Sequence, residues 1–357
     1  MNINPLLDRP AAPRPLPPGF AGLAGRRILV TGAAGFIGGA LLQRLVAYGL
    51  DVLGTVQLEE EAEELRRRGF EAAALDLAAA DAPWDETVAG RDLVFHVAAA
   101  FQETELSEAV YDVVNHRAVV ELARAARRAG VERFVHCSTV GVHGDVLEIP
   151  ATEETPFHPM DLYHRTKLAG ELAVVELARE TSPDDMTMVV NRPAMVYGPG
   201  DTRLLKLYRA ILGRTFVMIG SGETLAHLGY VDDQVDSFLL CALADGEAVH
   251  GEAFNIASGE PIPLNRLVRI IADAGGVGLR PWKVPLAPVM WAGWLVETLC
   301  APFGVRPPLS RRRVGFFSHN RAFDYSKARR LLGYEPRWRP EKGIPETIRW
   351  YREKNLL

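Results

Sequence analysis

The run Ile28-Leu29-Val30-Thr31, followed at once by Gly32-Ala33-Ala34-Gly35-Phe36-Ile37-Gly38, constrains this chain more than any other stretch. It reads as a strand, a tight glycine turn and a helix that begins near Phe36. Glycine tolerates the backbone conformation of such a turn and lets helix and strand pack closely. A helix starting there offers unpaired backbone N–H groups and the positive end of its dipole, which suits the pyrophosphate of a dinucleotide. The spacing is G-x-x-G-x-x-G, and small glycine turns also arise for structural reasons alone. The rest of the chain has to decide between the two.

The first half repeats this strand–helix alternation. Short apolar runs predict strands at 27–31, 51–56, 72–76, 93–98, 134–138 and 186–191. Apolar residues at three- and four-residue steps predict helices at 37–48, 110–129 and 162–179. Alternation of this kind implies an α/β fold, a parallel sheet covered on both faces with ligands at the carboxyl ends of its strands. In the charged run 59–68, Glu63 and Arg67, like Glu64 and Arg68, stand four apart and predict a solvated helix held by its own ion pairs. After Tyr197-Gly198-Pro199-Gly200 the alternation fades. The expected organisation is a flexible proline-rich tail at 1–25 and a dinucleotide-binding domain at 26–197, with a return contribution around 230–258. The remainder, 198–229 and 259–357, is expected to be a smaller α/β substrate-binding part.

Composition removes several classes of function. With 357 residues, 48% of them hydrophobic, the chain can bury a large core. Its net charge of -5 argues against nucleic acid as a partner. Cys137, Cys241 and Cys300 are odd in number and far apart, as in a reduced, cytoplasmic protein. No Cys/His cluster has metal-ligand spacing, so no metal is expected. The apolar stretch 285–305 is broken by Pro288, Glu297 and Pro302, too short to span a bilayer. It reads as a helix over a hydrophobic pocket, with membrane contact the lesser alternative.

Two further motifs carry chemistry. Tyr163 and Lys167 are four apart on a predicted helix and share a face. Moving a tyrosine from its free pKa near 10 to about 7 takes about 4 kcal/mol. An ammonium about 5 Å away contributes roughly 3 kcal/mol of that, and an oxidised nicotinamide adds positive charge. The pair therefore suits a general acid/base. Ser138-Thr139 ends a predicted strand, where a hydroxyl either bonds a reacting oxygen or caps the strand end.

In this order the motifs resemble those of the extended short-chain dehydrogenase/reductase superfamily, in particular nucleotide-sugar epimerases, dihydroflavonol reductases and 3β-hydroxysteroid dehydrogenases. The resemblance covers nearly everything from Arg27 to about Trp350. T-G-x-x-G-F-I-G is matched by Thr31 to Gly38, H-x-A-A by His96 to Ala99, and S-T-x-x-V-Y-G by Ser138 to Gly144, with His143 in place of tyrosine. R-P-x-x-V-Y-G-P-G is matched by Arg192 to Gly200, and V-D-D by Val231 to Asp233. The resemblance implies a Rossmann-type doubly wound sheet and a catalytic set of Thr139, Tyr163 and Lys167. It implies a cofactor held by Gly32, Gly35, Phe36, Ile37, Gly38, Gln57, Asp76, Leu77, Ala98, Ala99, Asn115, Ser138, Tyr163, Lys167 and Pro193. It also implies a homodimer paired through the helices that carry Asn115 and Tyr163.

The departures bear on function. The Asp-Glu pair that follows the catalytic threonine in the superfamily's sugar dehydratases is here Val140-Gly141, so water elimination lacks its acid and base. The arginine that contacts the nucleotide in sugar-nucleotide members is here Ala226. Pro307 to Arg311 and 327–335 resemble the 3β-hydroxysteroid dehydrogenase branch instead. Gln57 is neither the acid that binds the ribose of NAD nor the arginine that greets the phosphate of NADP. The acidic run Glu59 to Glu61 inclines the choice towards NAD. The expected activity is hydride transfer between NAD(P) and a secondary alcohol or ketone, a small-molecule substrate. The alternative is a nucleotide-sugar 4-epimerase with tightly held NAD.

Overall fold

The computed structural model describes residues 3–8, 19–101, 106–280, 282–300 and 314–357. The segment 307–311, most of the proline-rich tail and the end of the 285–305 stretch lie outside the described residues. In chain order the elements are β1 (Arg27–Thr31), α1 (Phe36–Ala47), β2 (Asp51–Val56), α2 (Glu59–Arg67), β3 (Glu71–Ala74), α3 (Trp84–Val88) and β4 (Leu93–His96). There follow α4 (Glu108–Asp112), α5 (Ala118–Arg128), β5 (Arg133–Cys137), α6 (Leu162–Arg179), β6 (Thr187–Pro193), β7 (Met195–Tyr197) and α7 (Leu205–Leu212). The last third holds β8 (Met218–Ile219), β9 (Leu225–Ala226), β10 (Leu228–Tyr230), α8 (Val231–Leu243), α9 (Gly246–Val249), β11 (Ala253–Ile256), β12 (Ile262–Pro263), α10 (Leu264–Gly275), β13 (Lys283–Val284) and α11 (Leu286–Cys300). Helices Ser326–Leu332 and Pro340–Glu353 close the chain.

Seven strands form one parallel sheet in the order β11-β6-β5-β4-β1-β2-β3. The order reverses between β1 and β4, the switch point at which such sheets leave a crevice above their carboxyl ends. The central strands are apolar because both faces are covered. Leu41, Leu42 and Leu45 of α1 pack with Val235, Phe238 and Leu239 of α8 on one face. Val119 and Leu122 of α5 pack with Val174 and Leu177 of α6 on the other. A separate apolar core joins Tyr197, Tyr208, Tyr230, Leu267, Ile271, Ile348 and Trp350 in the smaller part.

Two expectations change. The start of the chain is not loosely held where it is described: Asn4 is 4% exposed and Leu7 5%. The Asn4 backbone donates to Ala34 O at 2.8 Å, and its side-chain amide donates to Gly35 O and Phe36 O at 3.1 Å each. In α2, Arg67 pairs with Glu64 rather than Glu63, since Glu64 takes both Arg67 at 2.6 Å and Arg68 at 2.7 Å. Among the described residues no helix is long and apolar enough to cross a membrane.

Candidate active site

The glycine turn owes its shape to contacts that only glycine permits. Gly32 has φ +69°, and a methyl there would stand 2.8 Å from Ala98 Cα. A methyl on Gly38 would overlap the Gly32 carbonyl. No side chain caps α1, whose first N–H groups therefore remain open for an anion. Thr31 Oγ1 ties the ends of β1 and β4 together: it lies 2.8 Å from His96 Nδ1 and accepts from Val97 N and Ala98 N at 3.1 Å. Phe36 and Ile37 are half-buried at the head of α1, and Ala98 and Ala99 follow β4 beside the turn.

Further along the sheet edge, Gln57 and Asp76 are exposed at the ends of β2 and β3, and Asp76 accepts from Ala78 N at 3.0 Å. Leu77 is buried next to Ala98. Glu59 is engaged with Arg66. Pro193 is buried at the end of β6, opposite Ile256 of β11.

Asn115 departs from the expected direct cofactor contact. It is fully buried in a wide π-helical turn between α4 and α5. Its Oδ1 accepts from Ala100 N at 2.8 Å, and both amide protons go to Ala100 O and Thr166 Oγ1. Asn115 thus clasps the loop after β4 to α6.

Lys167 on α6 and Ser138 after β5 are both enclosed. Lys167 is 1% exposed and its Nζ has no hydrogen-bond partner among the described residues. Burial holds its pKa below the usual lysine value, against the pull of Cys137 and Glu171. Ser138, 3% exposed, also has an Oγ without a partner among the described residues. Buried polar atoms normally find partners, so these two, with the uncapped helix and the glycine cradle, fit a dinucleotide. Thr139 Oγ1 accepts from Gly141 N at 3.1 Å, which leaves its own proton free to donate.

Tyr163 stands one turn before Lys167 on α6, edge-on to Phe101 at 5.2 Å. The expected lowering of its pKa by Lys167 is not what this arrangement produces. Burial raises the phenol above its ordinary value, and the charge that opposes the rise is Arg203. Arg203 lies over the rings of Phe36 at 4.9 Å and Phe101 at 5.7 Å.

The partners of several motif residues, and Glu171 itself, were not readable from the sequence. Arg192 donates from Nε to both oxygens of Glu171 at 3.0 and 3.1 Å, an ion pair fully enclosed by protein. His143 Nε2 lies 3.3 Å from Arg192, and its ring stacks on Phe157 at 5.4 Å. At 1% exposure it is a packed loop histidine, and burial with the Arg192 charge holds its pKa down to about 4. Asp232 of the V-D-D motif pairs with Arg44 at 3.0 Å, joining α8 to α1. Asp233 accepts from Ser258 Oγ, Arg337 N and Trp338 N. Glu171 lies four residues past Lys167, a spacing that marks a shared helix face and gives no hint of its partner on β6. Among the described residues no group of three or more His, Cys, Asp or Glu could hold a metal ion.

Residues 28–257 match the model of the NAD dependent epimerase/dehydratase family. UDP-glucose 4-epimerase of Mycolicibacterium smegmatis is 31% identical over 344 residues, 92% of this chain and 99% of that protein. A 3 beta-hydroxysteroid dehydrogenase/Delta 5-->4-isomerase of Mycobacterium tuberculosis is 31% identical over 345 residues, 91% of this chain and 90% of that one. The structure of UDP-glucose 4-epimerase from Thermotoga maritima with UDP-glucose matches with TM-score 0.73 and 25% identity, covering 92% of this chain and 99% of that chain. With the glycine turn, the strand-end residues and the seven-stranded parallel sheet in place, the chain belongs to the NAD dependent epimerase/dehydratase family, as an enzyme of the extended short-chain dehydrogenase/reductase type.

Proposed function

We propose that the protein transfers hydride between a nicotinamide dinucleotide and an apolar secondary alcohol or ketone. The observation that carries this is the buried Lys167 Nζ, without a hydrogen-bond partner among the described residues, one helical turn from Tyr163. Residues 26–197 and 230–258 serve the cofactor: the glycine turn from Gly32 to Gly38 the pyrophosphate, Asp76 and Leu77 the adenine end, Ala98, Ala99, Ser138, Lys167 and Pro193 the nicotinamide half. Bound NAD supplies the hydride acceptor, and NADP is the alternative that the exposed Gln57 leaves open. Tyr163 Oη takes the hydroxyl proton of the alcohol in oxidation and returns it in reduction. Thr139 donates its hydroxyl proton to the same oxygen, Lys167 holds the nicotinamide ribose, and Arg203 supplies the positive charge that opposes burial of the phenol.

Residues 198–229 and 259–357 form the substrate side. An apolar substrate is favoured by what stands where sugar-nucleotide members carry arginine. Ala226 is 1% exposed, and the adjoining His227 is packed on Phe323 with Nε2 2.9 Å from Gly259 O. The second reading is a nucleotide-sugar 4-epimerase with retained NAD, supported by the similarity to the M. smegmatis epimerase. A homodimer through the helical segments that carry Asn115 and Tyr163 and a reducing, cytoplasmic setting for the three unpaired thiols complete the proposal.

The test uses dihydrotestosterone with NADH, and UDP-glucose separately. Turnover of the steroid ketone, lost by about a hundredfold or more in Tyr163→Phe while NADH still binds, supports the reading. Turnover of UDP-glucose alone, by protein that carries NAD from purification, replaces it with the epimerase. Undiminished turnover in Tyr163→Phe overturns both.

A further inference from the structure

The apolar stretch 285–305, expected as a helix over a hydrophobic pocket, takes a different place where it is described. Among the described residues, α11 (Leu286–Cys300) joins none of the apolar cores of the sheet or of the smaller part. Only Gly293 of its described residues is buried. Trp291 and Leu299 are 70% and 60% exposed, and Trp294 and Leu295 are half exposed. A helix that faces water carries charged and polar groups on that side. An apolar face of this kind marks a surface that something else covers. The Thr298 hydroxyl does not break it, because Oγ1 donates to Trp294 O at 2.8 Å within the helix.

The approach to α11 extends the face. Trp282 is 66% exposed, and β13 just after it pairs with β8. There Gly220 N donates to Val284 O at 2.8 Å, and Lys283 Nζ donates to Ser221 O at 2.9 Å. The face is thus tied to the substrate part. Its flanks in the sequence are basic: Arg280, Lys283, Arg306, Arg311, Arg312 and Arg313 stand against the single acid Glu297 between 280 and 313. The chain as a whole has net charge -5, so this stretch runs against the rest.

Charge and tryptophan content decide what fits the face. A second copy docked about a two-fold axis would present the same patch and set basic flanks against each other. A bilayer with anionic lipid meets both features. Indole rings favour the headgroup level, and basic residues beside them are drawn to anionic headgroups. With 15 residues α11 is about 22 Å long, short of the roughly 30 Å of bilayer hydrocarbon. It therefore lies along the interface.

We propose that α11, together with Trp282, is a docking face for an anionic membrane surface. The helix lies in the plane of the headgroups with Trp291, Trp294, Leu295 and Leu299 turned into the lipid. The substrate part then faces the layer in which an apolar alcohol or ketone dissolves. The docking itself does not depend on the hydride-transfer reading.

The experiment floats the full-length protein with vesicles of phosphatidylcholine, alone or mixed with phosphatidylserine. Wild type is expected to rise with the mixed vesicles at least about tenfold more than with the neutral ones, and high salt should weaken this binding. Trp291→Ser combined with Trp294→Ser should weaken it by about tenfold or more, with an unchanged thermal midpoint, since both rings stand outside the cores. Arg280→Glu combined with Lys283→Glu should reduce the preference for mixed vesicles, and this pair decides if the tryptophan variant fails to fold. Wild type that floats with neither vesicle, or equally with both, overturns the proposal. So does undiminished binding by the tryptophan variant. A wild-type dimer that binds no vesicle and dissociates in the tryptophan variant, read by sedimentation, overturns it in favour of a second copy. Turnover is measured separately, so failure of the hydride-transfer reading leaves these outcomes intact.

Discussion

The seven-stranded sheet and the part that follows Gly200 are held together by different means. In the sheet, parallel register delivers Thr31, His96 and Cys137 to the ends of neighbouring strands, and the loops that start there form the crevice. In the smaller part, strands are two or three residues long and side chains make the joins. Tyr230 stacks on Trp338 at 4.0 Å, and Tyr351 Oη donates to Asp201 O at 2.6 Å across 150 residues of sequence. A methyl on Gly343 would overlap Tyr197 Oη, so close does the C-terminal helix come to the Tyr197 turn. A sheet with fixed register can hold constant chemistry, while a part joined by side chains can change its pocket without disturbing the strands.

Substitutions test that separation. The largest effect is expected for Trp350→Ala, which removes a 1% exposed indole from the smaller core and should cost about 4 kcal/mol in denaturant unfolding. If the comparison holds, dinucleotide affinity measured by calorimetry stays within about threefold; a larger loss would mean that the two parts share one core. Glu171→Gln leaves Arg192 charged and enclosed beneath the crevice, and about 3 kcal/mol of stability should go with it. An unchanged unfolding midpoint would show that water reaches the pair.

Acid comes next. His143 is held down to about 4, below its unfolded value near 6.5. As pH falls through that window the unfolded chain takes up a proton that the folded one refuses, so stability present above about 6.5 is progressively lost. The loss attributable to His143 is at most about 3 kcal/mol, and His143→Phe, stacked in the same place on Phe157, should flatten the slope. His96, held down to about 3, and His136 keep part of it. The smallest effect is expected for Asn4→Ala, which frees the Gly35 and Phe36 carbonyls and should weaken dinucleotide binding about fivefold, near 1 kcal/mol. No change in affinity would make the N-terminal contact a matter of packing only.

Much of the sheet was legible before any coordinates. The bounds of β1 and β2 and of α6 coincide with the expectations from periodicity, because apolar runs between glycine turns carry a local signal. The single helix expected over 110–129 is instead two helices around a π-helical turn, where Asn115 reaches back to Ala100. Periodicity reports a burial face and is silent about such a local widening. The start of the chain looked unstructured because its proline content hides a partner, the glycine turn, some 30 residues away. Gly141 looked like a missing functional group, and in space His164 occupies its place.

The sequence alone determined the family, the parallel sheet implied by alternation, the glycine turn and the face shared by Tyr163 and Lys167, all from residues within a few positions of one another. Only the tertiary structure decided that Glu171 meets Arg192, that Asn4 holds the glycine turn, that burial leaves the tyrosine raised, and that the His164 imidazole stands against Gly141. Local periodicity and backbone conformation are encoded over one or two turns of chain. Burial, ion pairing and the filling of space arise between segments tens to hundreds of residues apart, where no local pattern records the partner.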